Sequence, residues 1–149
     1  MHVRLFHPHP WWHPIGFAVA AVATTAIVIS ATNNKGEDVK YHYDKGTWYE
    51  QQGDVYIVIS APMGAVVPEL PDGNEPVQVS GKTYYYYAGD FYSDDSQGYK
   101  VAKAPKGATV SSLPEGYKEQ ETDDGTTYTY NDVKYEAQTD GDTVVYVVI

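Results

Sequence analysis

Three groups of side chains in this sequence have the chemistry to bind or react. His7, His9 and His13 alternate with prolines in the opening run Met1–Pro14. Neutral imidazoles on a proline-restricted chain can converge on Cu²⁺, Ni²⁺ or Zn²⁺, and the same run serves equally as a connecting segment in which His and Trp pack. The acidic clusters Asp94-Asp95, Asp123-Asp124 and Asp140-Gly141-Asp142 are candidates for Ca²⁺. They lack EF-hand spacing, and turn formation and solubility account for them as well. The third group is the run Tyr84–Tyr87, whose rings could stack on a sugar or supply a core. A transition metal or Ca²⁺ is thus the conceivable ligand, and no cofactor is assigned.

Catalytic chemistry has little to start from. Cysteine is absent, which removes thiolate catalysis, Cys-based metal sites and a disulfide scaffold. His42 beside Asp44 is the one histidine outside the leader, and nothing places a second carboxylate in a shared apolar pocket. An enzyme is not expected, and no catalytic residue is proposed.

Charge divides the chain. The total is −10 with a pI near 4.7, which argues against duplex nucleic acid as a partner. Residues 1–36 hold Arg4 and Lys35 and no acid, whereas all 20 acids fall after residue 36.

Between the leader (1–14) and a polar linker (32–38) lies the uncharged stretch 15–31. As a helix it would span about 25 Å, slightly short of a roughly 30 Å hydrocarbon core. Trp11 and Trp12 precede it where an interfacial aromatic belt would sit. Gly16, Ala20 and Thr24 recur every four residues, the spacing that lets helices approach closely. Ile15, Phe17 and Ile27 complete a candidate anchor or assembly surface. A membrane anchor, a packing helix and a cleaved export signal compete for the segment, with a short apolar strand at 26–30 as the plainer alternative.

The acidic remainder is a tandem repeat. Residues 41–73 laid over 84–116 agree at 14 of 33 positions, with Trp48 over Phe91 as a conservative match. Tyr85, Tyr87 and Tyr92 fall in turn on Tyr128, Tyr130 and Tyr135. A 43-residue period is the scale of one supersecondary unit that buries its apolar face against neighbours. Tight hairpins are predicted at Lys45-Gly46, Ala88-Gly89 and Asn131-Asp132, with no helical period after residue 36. The fold expected is mainly β: small antiparallel units behind one apolar N-terminal helix. The boundaries read as 39–81, 82–124 and a partial, capping unit at 125–149.

The run Tyr-x-Tyr-x-x-Gly-x-[Trp/Phe]-Tyr, followed by Ala-Pro-x-Gly-Ala-x-Val-x-x-Leu-Pro-x-Gly, resembles an uncharacterised domain-of-unknown-function family of tyrosine-rich repeat proteins of the bacterial cell envelope. The resemblance runs from His7-Pro8-His9-Pro10 through Tyr135. It implies a place in the envelope or outside the cell and no enzymatic activity. The partners expected are copies of the chain itself or another envelope protein, with the membrane as a further partner through 15–31. The expected role is structural; a tethered module that binds carbohydrate or divalent cations is the alternative.

Overall fold

The computed structural model describes residues 5–6, 12–33 and 35–149, and all regular structure in them is β. The strands are β1 (Leu5–Phe6), β2 (Ala18–Val19), β3 (Ile27–Thr32), β4 (Asp38–Asp44), β5 (Thr47–Gln52), β6 (Val55–Ile59) and β7 (Val66–Val67). They continue with β8 (Glu75–Val79), β9 (Lys82–Tyr87), β10 (Asp90–Asp95), β11 (Gly98–Ala102) and β12 (Thr109–Val110). The last are β13 (Leu113–Pro114), β14 (Lys118–Thr122), β15 (Gly125–Tyr130), β16 (Val133–Asp140) and β17 (Thr143–Val148).

Fifteen of these strands form three five-stranded antiparallel sheets of one design: β2-β6-β5-β4-β3, β7-β11-β10-β9-β8 and β12-β17-β16-β15-β14. In each, four strands meander through hairpins, and the two-residue strand that opens the unit returns to pair with its last strand. The remaining two, β1 and β13, form a short parallel pair, Leu5 opposite Leu113.

A Pro-x-Gly turn makes the return. Phe17, Ala65 and Ala108 donate their N–H to the carbonyls of Pro14, Pro62 and Pro105, each at 3.1 Å. The third turn residue, Gly16, Gly64 or Gly107, has φ of 94°, 83° or 93°, a conformation that side chains disfavour. The same glycine N–H then reaches Val58, Val101 or Val148 in the last strand, at 2.8–3.0 Å. The central hairpins turn through Lys45-Gly46, Ala88-Gly89 and Asn131-Asp132 with positive φ at both residues, as two-residue hairpins that follow the sheet twist require.

The stretch 15–31 is therefore two strands of the first sheet and the loop between them, where a helix was expected. Pro14-Ile15-Gly16 repeats the closing turn of the other units, and Ile27, Val28 and Ile29 are β-branched residues that lose side-chain freedom in a helix. Its polar groups find partners in β4 and β6. Gly16, Ala20 and Thr24 lie in turns and a bend, not in a helix, and all three are exposed. The proposed linker at 32–38 is mainly the β3–β4 turn: the Asn33 side-chain carbonyl accepts the N–H groups of Lys35 and Glu37, at 2.9 and 3.0 Å. The units also differ in phase from 39–81, 82–124 and 125–149, since each Pro-x-Gly segment opens the next sheet instead of ending the previous repeat. The third unit is consequently a whole five-stranded sheet.

The sheets stack in chain order. One core cluster joins the first and second around Tyr41, Tyr43, Trp48, Val67, Tyr87 and Tyr92. Another joins the second and third around Tyr86, Phe91, Leu113, Tyr128, Tyr135 and Tyr146. The middle sheet is thus covered on both sides, which explains its tyrosine run. Alternate side chains of a strand point to opposite faces, so Tyr86 serves one interface and Tyr87 the other, at 2% and 1% exposure.

A recurrent interlock fixes the stacking. The ring of Tyr87 lies over Gly46 of the preceding hairpin and against Pro71, and Tyr130 covers Gly89 beside Pro114. No side chain fits at either glycine without displacing that ring. At the front of the array the tyrosine's place is taken by Asp44, and Thr25 replaces the glycine of Leu-Pro-x-Gly. Thr25 Oγ1 donates to Asp44 Oδ1 at 2.7 Å. At the rear the hairpin glycine is replaced by Asp132. Both ends are closed with polar side chains, as terminal repeats require.

Candidate functional site

Where the two interfaces meet, a carboxyl group lies among tyrosines. Asp90 follows the Ala88-Gly89 turn at the start of β10, paired with Tyr87. Its Oδ1 accepts the Ala61 N–H at 3.4 Å. The residue is half-buried, and desolvation of the carboxyl pushes its pKa up to about 7. Tyr43, Tyr86, Tyr87, Tyr92, Tyr130 and Tyr135 lie close enough to feel its charge. Burial is the main cause holding each phenol above its ordinary pKa, and the Asp90 charge adds to it; Tyr87 reaches about 12. All six remain neutral near pH 7.

Beside Asp90 is a cavity of about 20 Å³, lined among others by Trp12, His13, Trp48 and Tyr130. That is room for one water molecule and no substrate. The Tyr135 hydroxyl is buried without a hydrogen-bond partner among the described residues, whereas that of Tyr43 lies near the Gly46 backbone and the Tyr92 hydroxyl. The Tyr92 hydroxyl accepts the Trp48 indole N–H at 3.1 Å, and that of Tyr86 donates to the Ser112 carbonyl at 2.9 Å. The arrangement can hold a proton on Asp90 at neutral pH.

A larger groove of about 1040 Å³ lies between the Val19–Ile27 segment and the β4–β5 hairpin of the first unit and residues 68–72 and Tyr87 of the second. Val19, Ile27 and Leu70 supply apolar surface, Tyr43, Tyr49 and Tyr87 aromatic surface, and Asp44, Glu69 and Asp72 carboxylates.

Of the residues singled out in the sequence, His7, His9 and Trp11 lie outside the described residues. His13 stacks on Phe17, with ring centroids 4.0 Å apart and planes 4° apart. Trp12 is half-buried against the first core cluster. Ile15, Phe17 and Ile27 are exposed at 43%, 44% and 39%. His42 meets Tyr56 edge-on at 5.0 Å. Asp94 accepts the Tyr85 hydroxyl at 3.3 Å, and Asp95 accepts the Gln97 N–H at 3.0 Å. Among the described residues, no three His, Asp or Glu side chains come together as a metal site. None of the helices a membrane span would need, long and apolar, occurs among them either.

Asp90 itself escaped the sequence reading. The signal was available: its counterparts one period away are Thr47 and Val133, so the middle unit alone places a carboxylate in that column.

Three stacked meanders with closed ends define a short all-β repeat protein. The chain belongs to a family of unknown function, DUF6515, whose model matches residues 1–149. No curated protein and no solved structure matches it.

Proposed function

We propose that this is a non-enzymatic structural protein of the bacterial cell envelope or exterior that self-associates through its apolar first unit and displays an acidic, tyrosine-built stack to water. The observation that carries the reading is that both edges of the first sheet expose apolar side chains: Ile15, Phe17 and Val55 at the β2–β6 edge, Ile27 and Val28 on β3 at the other. Surfaces of this kind are usually covered by another molecule. Sedimentation velocity of the full chain over a hundredfold concentration range, without detergent, tests it. Association that strengthens with concentration is expected; a monomer throughout would remove self-association. Fractionation of cells tests the location, and recovery in the cytosol alone would overturn it.

A second reading, a carbohydrate-binding module, draws on the groove. The half-buried Tyr49 ring beside Asp44, Glu69 and Asp72 is suited to stacking on a sugar's C–H face while the carboxylates accept its hydroxyls. Titration with envelope glycans should then raise the melting temperature, and an unchanged melt would dismiss this reading.

A further inference from the structure

We infer that β3 is an association edge that pairs antiparallel with β3 of a second copy, joining two first sheets into one ten-stranded sheet across a two-fold axis. This rests on the self-association proposed above and names the surface and partner.

Each sheet has two edges. One is a two-residue strand in all three units (β2, β7, β12), too short to template a neighbour. The other is β3, β8 or β14. Strand β14 reads Lys-Glu-Gln-Glu-Thr, fully exposed and charged, and β8 carries Glu75 and Pro76. Charge and proline are the devices that keep edges from pairing. Strand β3 reads Ile-Val-Ile-Ser-Ala-Thr, with neither charge nor proline. Its inner side pairs with β4 along all six residues. No backbone hydrogen bond from the described residues reaches its outer side. Val28 is 56% exposed and Ile27 39%. An uncharged, β-branched segment on an open edge is the sequence type that pairs with another strand.

Three observations favour a second copy as the occupant. An antiparallel pair of identical strands is self-complementary, so one patch serves both subunits. Centring the pair on Val28 sets Val28 against Val28 and Ile27 beside Ile29, since opposed residues share a face, and covers both exposed side chains. The strand lies within residues 1–36, the stretch without an acid, so contact there brings no carboxylates of β3 together. End-to-end stacking, the other route, is closed by Asp44 and Asp132. The product is a discrete dimer.

The chain contains no cysteine, which gives a direct test. Opposed residues in an antiparallel pair have Cα atoms about 4.5–5.5 Å apart, within disulfide reach. Val28→Cys should oxidise to a covalent dimer under native conditions, whereas Gln120→Cys on the guarded β14 edge should not. Val28→Glu with Ser30→Glu sets carboxylates against each other across the axis, while Ser30 faces Lys40 within its own sheet. This variant should keep the wild-type circular dichroism and sediment as a monomer. If the wild type associates but the double variant associates equally, and Val28→Cys links no better than Gln120→Cys, the β3 pairing is overturned while self-association stands. If the wild type is monomeric and Val28→Cys does not link, both fall.

Discussion

The indole N–H of Trp48 donates to the Tyr92 hydroxyl at 3.1 Å, a buried bond between the first and second units. One period later the same two positions hold Phe91 and Tyr135. Phenylalanine has no N–H, and the Tyr135 hydroxyl is left buried without a partner among the described residues. The repeat has preserved the tyrosine and lost its donor. Leaving a buried donor unsatisfied costs more than removing a group that was already unsatisfied. Tyr92→Phe should therefore lower stability by about 1–3 kcal/mol. Tyr135→Phe should be neutral or stabilising. Urea unfolding of the two variants checks the contrast, and equal losses would contradict it.

The interlock makes a sharper prediction about glycine. Gly46 and Gly89 have φ of 93° and 88°, and a methyl group on either would overlap the ring of Tyr87 or Tyr130. Gly141 also has positive φ, at 66°, but a methyl there meets nothing within 4 Å. Gly141→Ala should then cost only the backbone strain, about 1–2 kcal/mol. Gly46→Ala and Gly89→Ala add the displacement of a buried ring, about 1–3 kcal/mol more. Equal melting temperatures for the three variants would show that the rings do not lock the stack.

Asp90 should impose a pH dependence of defined sign. Its carboxyl is raised from 3.8 to about 7 in the fold, so the folded state binds this proton more tightly than the unfolded chain. Below about pH 4 the group is protonated in both states and carries no penalty. As pH rises from 4 to 7 the unfolded chain releases the proton first, and stability falls until the folded group also ionises. Asp90→Asn stays neutral and should lack this loss. Its stability relative to wild type should improve steadily between pH 4 and pH 7 and level off above. A constant difference across pH 4 to 8 would mean that the carboxyl is not desolvated. Comparing the two proteins at each pH cancels the other carboxylates.

Much of the body could be read from residue types alone. Each central hairpin turns at a glycine or at Asn131-Asp132, the residue types that tolerate positive φ, and the tyrosine period marks the strands. Three features could not be read. A tandem repeat looks the same from any starting point, so the identities between 41–73 and 84–116 fix the period and leave the phase open. The phase becomes visible when the Gly64 N–H is seen to bond Val101 in its own sheet. The stretch 15–31 is uncharged whether it forms a helix or the opening of a sheet; Pro14-x-Gly16, matching Pro62-x-Gly64 and Pro105-x-Gly107, decided between them, and that match is 48 residues away instead of 43 because the β3–β4 hairpin is longer, in its turn and by one residue in each strand. Asp90 was hidden because burial of a carboxyl depends on the unit that packs over it, which no local pattern reports.

Asp44 and Asp132 carry the last prediction. They occupy the two halves of an interlock that elsewhere reads Tyr87 on Gly46 and Tyr130 on Gly89, and one lies at each end of the stack. Asp132 has φ of 64°, so Asp132→Gly relieves a strained position and should raise stability by a fraction of about 1–2 kcal/mol. It also opens a seat for a tyrosine from another molecule. Asp44→Tyr supplies that tyrosine and breaks the bond to Thr25. Each single variant should sediment like the wild type, because each lacks the complementary half. The double variant should form longer, head-to-tail oligomers, since a heterologous contact that does not close on itself propagates. Persistence of these oligomers when Val28→Glu and Ser30→Glu are added would separate end-to-end growth from edge pairing. Wild-type behaviour of the double variant would show that something other than the two aspartates terminates the array.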